Sequence, residues 1–277
     1  MKTQQQENFP VAFKLFERKQ RKIISDYYDF ARYCDDIADD KRLSSKEKLT
    51  RLDQAEKALF GQDKLPCAEA LRADFLAEKF DFSVAAYLLK AFRQDAEGFE
   101  YQTWAQLLDY CKYSATPVGR FMLALFDENP STYMPANALC AVLQIVNHIQ
   151  DIKEDKTNLG RVYLPLELMR KHKVSPQALV RDSSSKGLQF LLKDILDRCC
   201  GLMKDATVLT QIVKSVRLRV YICVTITLTN LLIKKLYNGD VLSAKIRLTT
   251  SDKVKGALLG TFRALVIRRK TLSNKGL

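Results

Sequence analysis

Helical periodicity is the feature that most restricts how this chain can fold. Between residues 19 and 40, apolar side chains recur every three or four positions, which places them on one face of an α-helix. Only 10 Gly and 7 Pro occur among 277 residues, so the chain lacks the turn residues that an all-β fold with many short strands requires. We therefore predict an all-α protein whose helices form a single domain over residues 1–277. The apolar face of the first helix carries Ile23, Tyr27, Phe30, Ala31, Cys34, Ile37 and Ala38.

The same period predicts the later helices. Ser45 is predicted to cap the second of them, and residues 61–66, 115–119 and 158–165 are predicted to interrupt the pattern. Residues 220–228 are ambiguous, because apolar side chains alternate there at the spacing of a strand. We favour a helix because the segment is long and no partner strand is evident. The predicted helices cover residues 46–60, 68–78, 83–96, 104–112, 135–155, 188–210 and 215–237.

Several classes of protein lose support from what the chain lacks. The polar first seven residues contain no apolar core of a secretory signal. The longest uncharged stretch, residues 220–233, has 14 residues, fewer than the roughly 18–20 that a membrane span needs. The seven cysteines follow no disulfide spacing, which favours reduced thiols and a cytoplasmic location. The usual sequence signals of a Rossmann site, a P-loop and an α/β-hydrolase are also missing.

A cluster of four aspartates stands near the end of the first predicted helix. Asp35 and Asp39 are four residues apart and share one helix face, and Asp36 and Asp40 form a second, adjacent pair. Repulsion at this spacing, the low helix propensity of Asp and the helix macrodipole all disfavour the arrangement. We infer that something outside the helix compensates, and divalent cations would do so.

A second acidic cluster lies in the predicted helix over residues 135–155. Asn147, Asp151 and Asp155 follow one another at intervals of four, so three oxygen ligands line one face. Hard oxygen donors suit Mg²⁺, which keeps several waters and bridges to substrate phosphates. A solvated acidic face is the alternative for one such cluster, whereas two clusters beside apolar faces favour a metal site.

Two arginines lie next to these clusters. Arg32 stands three residues before Asp35, with Tyr28 one turn earlier, and Arg161 follows the second cluster. Each arginine has two interpretations: a salt bridge to the neighbouring carboxylates, or a phosphate ligand that uses the planar guanidinium.

Taken together, these segments resemble the head-to-head isoprenoid synthases of the squalene and phytoene synthase family. Their order and spacing match the family over nearly the whole chain, including Arg247-Leu248-x-x-x-Asp252-Lys253 towards the C-terminus. The other matching segments are Tyr28-x-x-x-Arg32-x-x-Asp35-Asp36-x-x-Asp39, Tyr110-Cys111-x-x-Ser114-Ala115-x-Pro117-Val118-Gly119, Asn147-x-x-x-Asp151-x-x-x-Asp155 and Gly160-Arg161-x-Tyr163-Leu164-Pro165.

The resemblance implies a helical bundle with a central cavity and two acidic helices that face each other at its mouth. These helices would hold two or three Mg²⁺ ions, and through them the diphosphate of a prenyl substrate such as presqualene or farnesyl diphosphate. The implied metal ligands are Asp35, Asp39, Asn147, Asp151 and Asp155. The implied catalytic residues are Tyr28, Arg32, Tyr110 and Arg161. The implied substrate-binding residues are Asn8, Phe9, Arg32, Asp36, Gln150, Arg161 and Tyr163.

Two short segments are similar to one branch of the family. Residues 7–12 and 114–119 are most like those of bacterial hydroxysqualene synthases of hopanoid pathways, which take presqualene diphosphate to hydroxysqualene. The implied reaction is a Mg²⁺-dependent ionisation of the diphosphate, rearrangement of the carbocation and quench by water. NADPH is not expected, because no nicotinamide-binding motif is visible. Head-to-head condensation to presqualene diphosphate, squalene or phytoene is the alternative.

The formal charge of +13 is concentrated towards the C-terminus. Residues 206–277 contain 14 Lys and Arg but only two Asp, and the remainder of the chain is close to neutral. This pattern allows the basic tail, about residues 261–277, to rest on the inner face of an anionic membrane, with a solvated helix end as the alternative. A nucleic-acid partner is disfavoured by the acidic clusters, and no obligate protein partner is evident.

Overall fold

The computed structural model describes residues 15–267. In this part of the chain all regular secondary structure is helical, and no β-strand occurs. The helices are α1 (Arg18–Asp39), α2 (Ser45–Leu59), α3 (Pro66–Glu78), α4 (Ser83–Glu97), α5 (Trp104–Ser114), α6 (Thr116–Leu125), α7 (Tyr133–Glu154), α8 (Leu166–Lys171), α9 (Lys186–Thr207), α10 (Leu209–Ile212), α11 (Val216–Asn238) and α12 (Thr250–Val266). Short 3₁₀ turns at Pro130–Thr132 and Pro176–Val180 and a π-helical turn at Asp155–Leu159 complete the secondary structure.

The all-α prediction is confirmed, and the predicted boundaries agree with α1–α5, α7, α9 and α11 within three residues. The cap of α2 was predicted one residue too late. Ser44, not Ser45, is the N-cap: its Oγ accepts the Glu47 backbone N–H at 3.3 Å, and the Glu47 carboxylate accepts the Ser44 N–H at 2.8 Å. This reciprocal pair satisfies two backbone donors at once, which Ser45 cannot do from inside the first turn.

Two predicted interruptions are shorter than expected. The break at residues 115–119 is confined to Ala115, because Pro117 lies in the first turn of α6, where a helix does not use its N–H. The loop at residues 158–165 begins inside the π-helical turn Asp155–Leu159, which ends at Gly160 with φ of 71°. Glycine adopts this left-handed conformation without steric cost. Helix α12 was not predicted; it follows the last predicted helix, which ends at residue 237.

Helix α11 settles the ambiguity at residues 220–228 in favour of a helix. Its buried residues point in all directions around the axis, so the alternation of apolar residues comes from a helix that is buried on most sides. Among the described residues, α11 is the one helix long and apolar enough to cross a membrane, but 67% of its most apolar window is buried inside the protein. These are the surroundings of a core helix.

Two apolar clusters form the core, one made mainly by α1–α4 and the other by α5–α12. Phe121 of α6 joins the first cluster, because the Tyr27 ring stacks on it with centroids 4.1 Å apart. The Tyr27 hydroxyl also donates to the Val84 carbonyl at 2.7 Å. These contacts hold α1 against α4 and α6, so the acidic end of α1 has a defined position in the bundle.

Close packing between α11 and α12 depends on glycine. A Cβ added at Gly260 would lie 2.5 Å from the Cα of Val224, which is backbone and cannot move aside. We expect Gly260→Ala to lower the free energy of unfolding by about 1–3 kcal/mol, measured by urea denaturation. Gly201→Ala in α9 is the matched control, because nothing lies within 4 Å of its Cβ position and alanine is the better helix former. Equal effects at the two positions would contradict this account of the interface.

Candidate active site

The acidic end of α1 is organised around Arg32. Its guanidinium lies 2.8 Å from the Asp35 carboxylate and 2.6 Å from that of Asp36, one helical turn further on. Asp40 does not bind Arg32. It is the C-cap residue that follows α1, and its Oδ2 lies 2.7 Å from Arg42 Nη2. The intrahelical salt bridge considered for Arg32 is therefore present. The side chains of Arg32, Asp35 and Asp36 remain 30–39% exposed, so a ligand can reach them.

The surroundings of Asp35 disfavour the ionised form of its carboxyl group. Burial and the neighbouring Asp39 raise the pKa of its carboxyl group above the usual range, and Arg32 opposes them only in part. A bound divalent cation would remove this repulsion. The donor chemistry of Asp35 and Asp39 therefore fits a metal-binding pair.

Arg161 joins the ends of the two acidic helices. Its Nη1 donates to Asp39 Oδ1 at 2.6 Å, its Nη2 to the Ala38 carbonyl at 2.7 Å and its Nε to the Asp95 carbonyl at 3.1 Å. Its backbone N–H donates to the carbonyl of Asp155 at 3.2 Å. The side chain is only 9% exposed. One buried arginine thus brings the ends of α1, α4 and α7 to the same end of the bundle.

Asp95 is the acceptor at the centre of an aromatic cluster. The Tyr110 hydroxyl donates to its Oδ2 at 2.9 Å, and the Tyr163 hydroxyl donates to its Oδ1 at 2.8 Å. The His148 ring stacks on Tyr163 with centroids 3.6 Å apart. Burial raises the pKa of Asp95, while Arg161 and the two hydroxyls favour its ionised form. Both tyrosines are almost fully buried, so their described role is to hold Asp95 and each other in position.

The end of α7 carries the second predicted set of metal ligands. Asn147 is exposed, and Asp151 and Asp155 are half-buried. The α-helix ends one residue before Asp155, which begins the π-helical turn, but Asp155 keeps helical backbone angles and its N–H still bonds to the Asp151 carbonyl. Asp155 therefore continues the helix face of Asp151. Its carboxylate lies 3.7 Å from His148 Nδ1, and His148 Nε2 contacts Gln144 Nε2 at 3.1 Å. The imidazole thus links the second acidic segment to the aromatic cluster around Asp95.

The loop between α11 and α12 contacts the acidic end of α7. Lys245 Nζ lies 2.6 Å from Asp151 Oδ1 and also contacts Glu154. Burial opposes the charge of Lys245, but the two carboxylates outweigh it and raise the pKa of the amine. Gln150 is buried, and its Nε2 donates to the Ile246 carbonyl at 2.6 Å. This contact is structural, and the assignment of Gln150 to substrate binding stays a prediction.

The carboxylates fit Mg²⁺ by their chemistry, although they are not gathered into a complete coordination shell. Within residues 15–267, no group of three Asp, Glu, His or Cys side chains lies close enough to hold a metal ion. Mg²⁺ is commonly bound through one or two carboxylates, with waters and substrate phosphates in its other positions. The pairs available for this are Asp35 with Asp39 and Asp151 with Asp155, beside the amide of Asn147.

The structure does not test the roles predicted for Tyr28, Asn8 and Phe9. Tyr28 is half-buried, and its position in α1 places it on the helix face that carries Arg32 and Asp35. Asn8 and Phe9 lie outside the described residues. Their roles stay predictions.

A large cavity lies apart from the acidic site. It has a volume of about 920 Å³ and is lined by α4, α5, α6, α7, the end of α9 and adjoining loops. Its α7 wall comes from residues 133–141, before the acidic end of that helix, and none of the described site residues lines it.

Asp95, His148 and Lys245 belong to the observed network, yet sequence reasoning did not select them. Asp95 had a local signal, because it is a lone acid four residues after the buried Ala91 on an otherwise apolar helix face. His148 stands inside the second cluster. Lys245 had no local signal, because it meets Glu154 across 91 residues of sequence.

Comparison with known proteins agrees with the helical fold. Residues 2–252 match the family model described as squalene/phytoene synthase. The chain belongs to the squalene/phytoene synthase family, and it is an isoprenoid synthase. The resemblance inferred from the sequence motifs is thereby confirmed.

Individual relatives are similar over most of their length. The hydroxysqualene synthase of Rhodopseudomonas palustris is 35% identical over 97% of this chain and 92% of its own, and that of Zymomonas mobilis is 34% identical over 88% and 84%. A crystal structure of squalene synthase from Alicyclobacillus acidocaldarius aligns with a TM-score of 0.73 at 27% identity, covering 82% of this chain and 86% of that one. A dehydrosqualene synthase structure aligns with a TM-score of 0.77 at 21% identity over 92% and 90%, which shows a common fold.

Proposed function

We propose that this protein is a Mg²⁺-dependent enzyme that converts presqualene diphosphate to hydroxysqualene. The observation that carries the proposal is its 34–35% identity to three hydroxysqualene synthases over 88–97% of the chain. Phytoene synthase from Mycobacterium bovis is a weaker match, at 29% identity over 57% of the chain. The acidic ends of α1 and α7 support a diphosphate as the group that is bound.

The chemistry we assign to the site begins with the diphosphate. When bound, Mg²⁺ supplies positive charge that stabilises the diphosphate as a leaving group. We assign Arg32 and Arg161 to phosphate oxygens, because each guanidinium has N–H groups beyond those that bind its present partners and both stand at the acidic end of α1. The carboxylate and amide oxygens that would hold the metal belong to Asp35, Asp39, Asn147, Asp151 and Asp155.

The reaction needs no reductant. The carbon–oxygen bond to the diphosphate breaks, and the diphosphate leaves with the electron pair. The carbocation rearranges and forms a new carbon–oxygen bond to one water molecule, which then loses a proton. Tyr28, on the same helix face as Arg32, is the aromatic residue we assign to the reacting end, where a ring face stabilises a desolvated cation by about 1–2 kcal/mol.

The test is turnover of presqualene diphosphate by the purified chain, with Mg²⁺ and without NADPH. We expect hydroxysqualene and diphosphate as products, and no turnover after removal of Mg²⁺ with EDTA. A parallel reaction receives farnesyl diphosphate alone, from which we expect no C30 product. Product identity is read by gas chromatography and mass spectrometry.

Two outcomes would contradict the proposal. Formation of presqualene diphosphate from farnesyl diphosphate, or of phytoene from its own C20 precursor, would assign the chain to head-to-head condensation. Conversion of presqualene diphosphate to squalene only when NADPH is added would assign a reductive reaction. Because the chain is 27% identical to the squalene synthase of Alicyclobacillus acidocaldarius, the products formed with and without NADPH must be compared.

Asp95 is expected to act by positioning the tyrosines. Asp95→Asn retains one acceptor oxygen but places an amide N–H₂ against the other tyrosine hydroxyl, which then needs a new arrangement. We expect kcat to fall about 10–100-fold with a smaller change in KM, by steady-state kinetics. Asp53→Asn, at an exposed partner of Arg93, serves as the control. Unchanged kcat in Asp95→Asn would show that the aromatic cluster does not need this acceptor.

A further inference from the structure

Helix α12 has its small residues inside and its large apolar residues outside. Gly256, Gly260 and Ala264 are buried against α11, where the added Cβ of Gly256 would meet Leu228. The opposite side of α12 exposes six large apolar side chains, from 45% at the least exposed to 69% at the most exposed. They are Val254, Leu258, Leu259, Phe262, Leu265 and Val266.

This exposed face is continuous, unlike the other exposed apolar side chains. Leu76, Met134 and Phe190 are equally exposed, but they stand on three different helices, and isolated residues of this kind are normal on a soluble protein. A face of six on one helix requires a partner that shields it from water.

Charge around α12 indicates the chemistry of that partner. Lys255 lies within the exposed face and Arg263 at its border, and both are exposed. Residues 206–277 hold 14 Lys and Arg but only two Asp. Four of these 14 stand in residues 268–277, which follow α12 in the sequence and contain no acid: Arg268, Arg269, Lys270 and Lys275. An apolar face with a basic surround is complementary to an anionic lipid surface.

We propose that the outer face of α12, defined by the six residues named above, docks on the surface of an anionic lipid bilayer. The helix lies flat on the membrane. Its 17 residues give about 26 Å, less than the roughly 30 Å of a hydrocarbon core, and its inner face remains packed on α11. This inference does not depend on the proposed reaction, although a prenyl substrate would be dissolved in the same bilayer.

The experiment measures co-sedimentation of the full chain with vesicles of phosphatidylglycerol and phosphatidylcholine. We expect Leu258→Gln combined with Phe262→Gln to weaken binding at least about tenfold, because both side chains lose their transfer into the apolar boundary. The matched control is Leu76→Gln combined with Phe190→Gln, which removes equally exposed apolar side chains elsewhere and is expected to bind like the wild type. Far-UV circular dichroism and urea denaturation of both variants verify that they are folded.

The charge component is tested separately. Lys255→Gln is expected to weaken binding to phosphatidylglycerol vesicles several-fold, and Lys57→Gln on α2 is the control for loss of one exposed charge. Binding that is unchanged in the α12 variant, or equally tight on pure phosphatidylcholine vesicles, would overturn the proposal. A wild-type dimer that becomes monomeric in the α12 variant would also overturn it, because a second copy would then cover this face.

Discussion

Asparagine in place of Asp35 is expected to lower kcat/KM by about a thousandfold or more. The reason is that Asp35 supplies one of the two α1 carboxylates that we assign to the metal, and the neutral amide attracts a divalent cation far less. Burial and the proximity of Asp39 raise the pKa of Asp35, so its charge costs stability when no cation is bound. The same substitution is therefore expected to raise the unfolding temperature of the metal-free protein.

This opposite response of activity and stability separates a metal-binding role from a structural one. Asp40→Asn is the matched control, because Asp40 belongs to the same run of acids but binds Arg42 beyond the end of the helix. We expect its kcat/KM to remain near that of the wild type. Loss of both stability and activity in Asp35→Asn would mean that the carboxylate serves the fold through Arg32, and the assignment to the metal would be wrong.

Lysine in place of Arg161 is the second substitution with a large expected effect. Arg161 reaches three acceptors on two helices from a nearly buried position, and a single ammonium group cannot reproduce that planar arrangement. We expect the free energy of unfolding to fall by about 2–4 kcal/mol, since buried carbonyls and Asp39 lose their donors. We also expect kcat/KM to fall about a hundredfold, because the remaining guanidinium N–H groups, which we assign to phosphate, are lost.

Arg42→Lys provides the comparison at an exposed position, where the partner is also an aspartate of the α1 cluster. Little change in either quantity is expected there, because solvent screens the pair. Measurements of chemical unfolding and steady-state kinetics together test both roles of Arg161. Reduced stability with full activity would leave Arg161 as a structural residue and remove it from the phosphate site.

The predicted helices depended on local information, and local information was sufficient for most of them. Apolar spacing located α1 and α7 within three residues, and the length of the segment at residues 215–237 correctly outweighed its strand-like alternation. The errors occurred where side chains decide the boundary. The N-cap is Ser44 because Glu47 stands three residues after it, and Pro117 lies in the first turn of a helix where it was expected to interrupt one.

The candidate site divides in the same way. Helical spacing was enough to place Asp35 with Asp39 on one face, and Arg32 within reach of the neighbouring carboxylates Asp35 and Asp36. It left two interpretations for each arginine, and the structure shows both arginines bound to α1 carboxylates. The partners that come from distant segments, Asp95 on α4 and Lys245 before α12, have no periodic relation to the residues they contact.

By itself, the sequence determined the helical fold, the two acidic helix ends and the family, because all three depend on residue types at fixed local spacing. Only the tertiary structure decided which polar side chains meet: Arg161 with Asp39, Lys245 with Asp151, and two tyrosines with Asp95. The tertiary structure also decided which side of α12 faces away from the protein. The glycine side of that helix permits close approach to α11, so the large apolar side chains are directed away from the protein. Such choices depend on how helices pack, and packing is set by contacts between residues far apart in the chain.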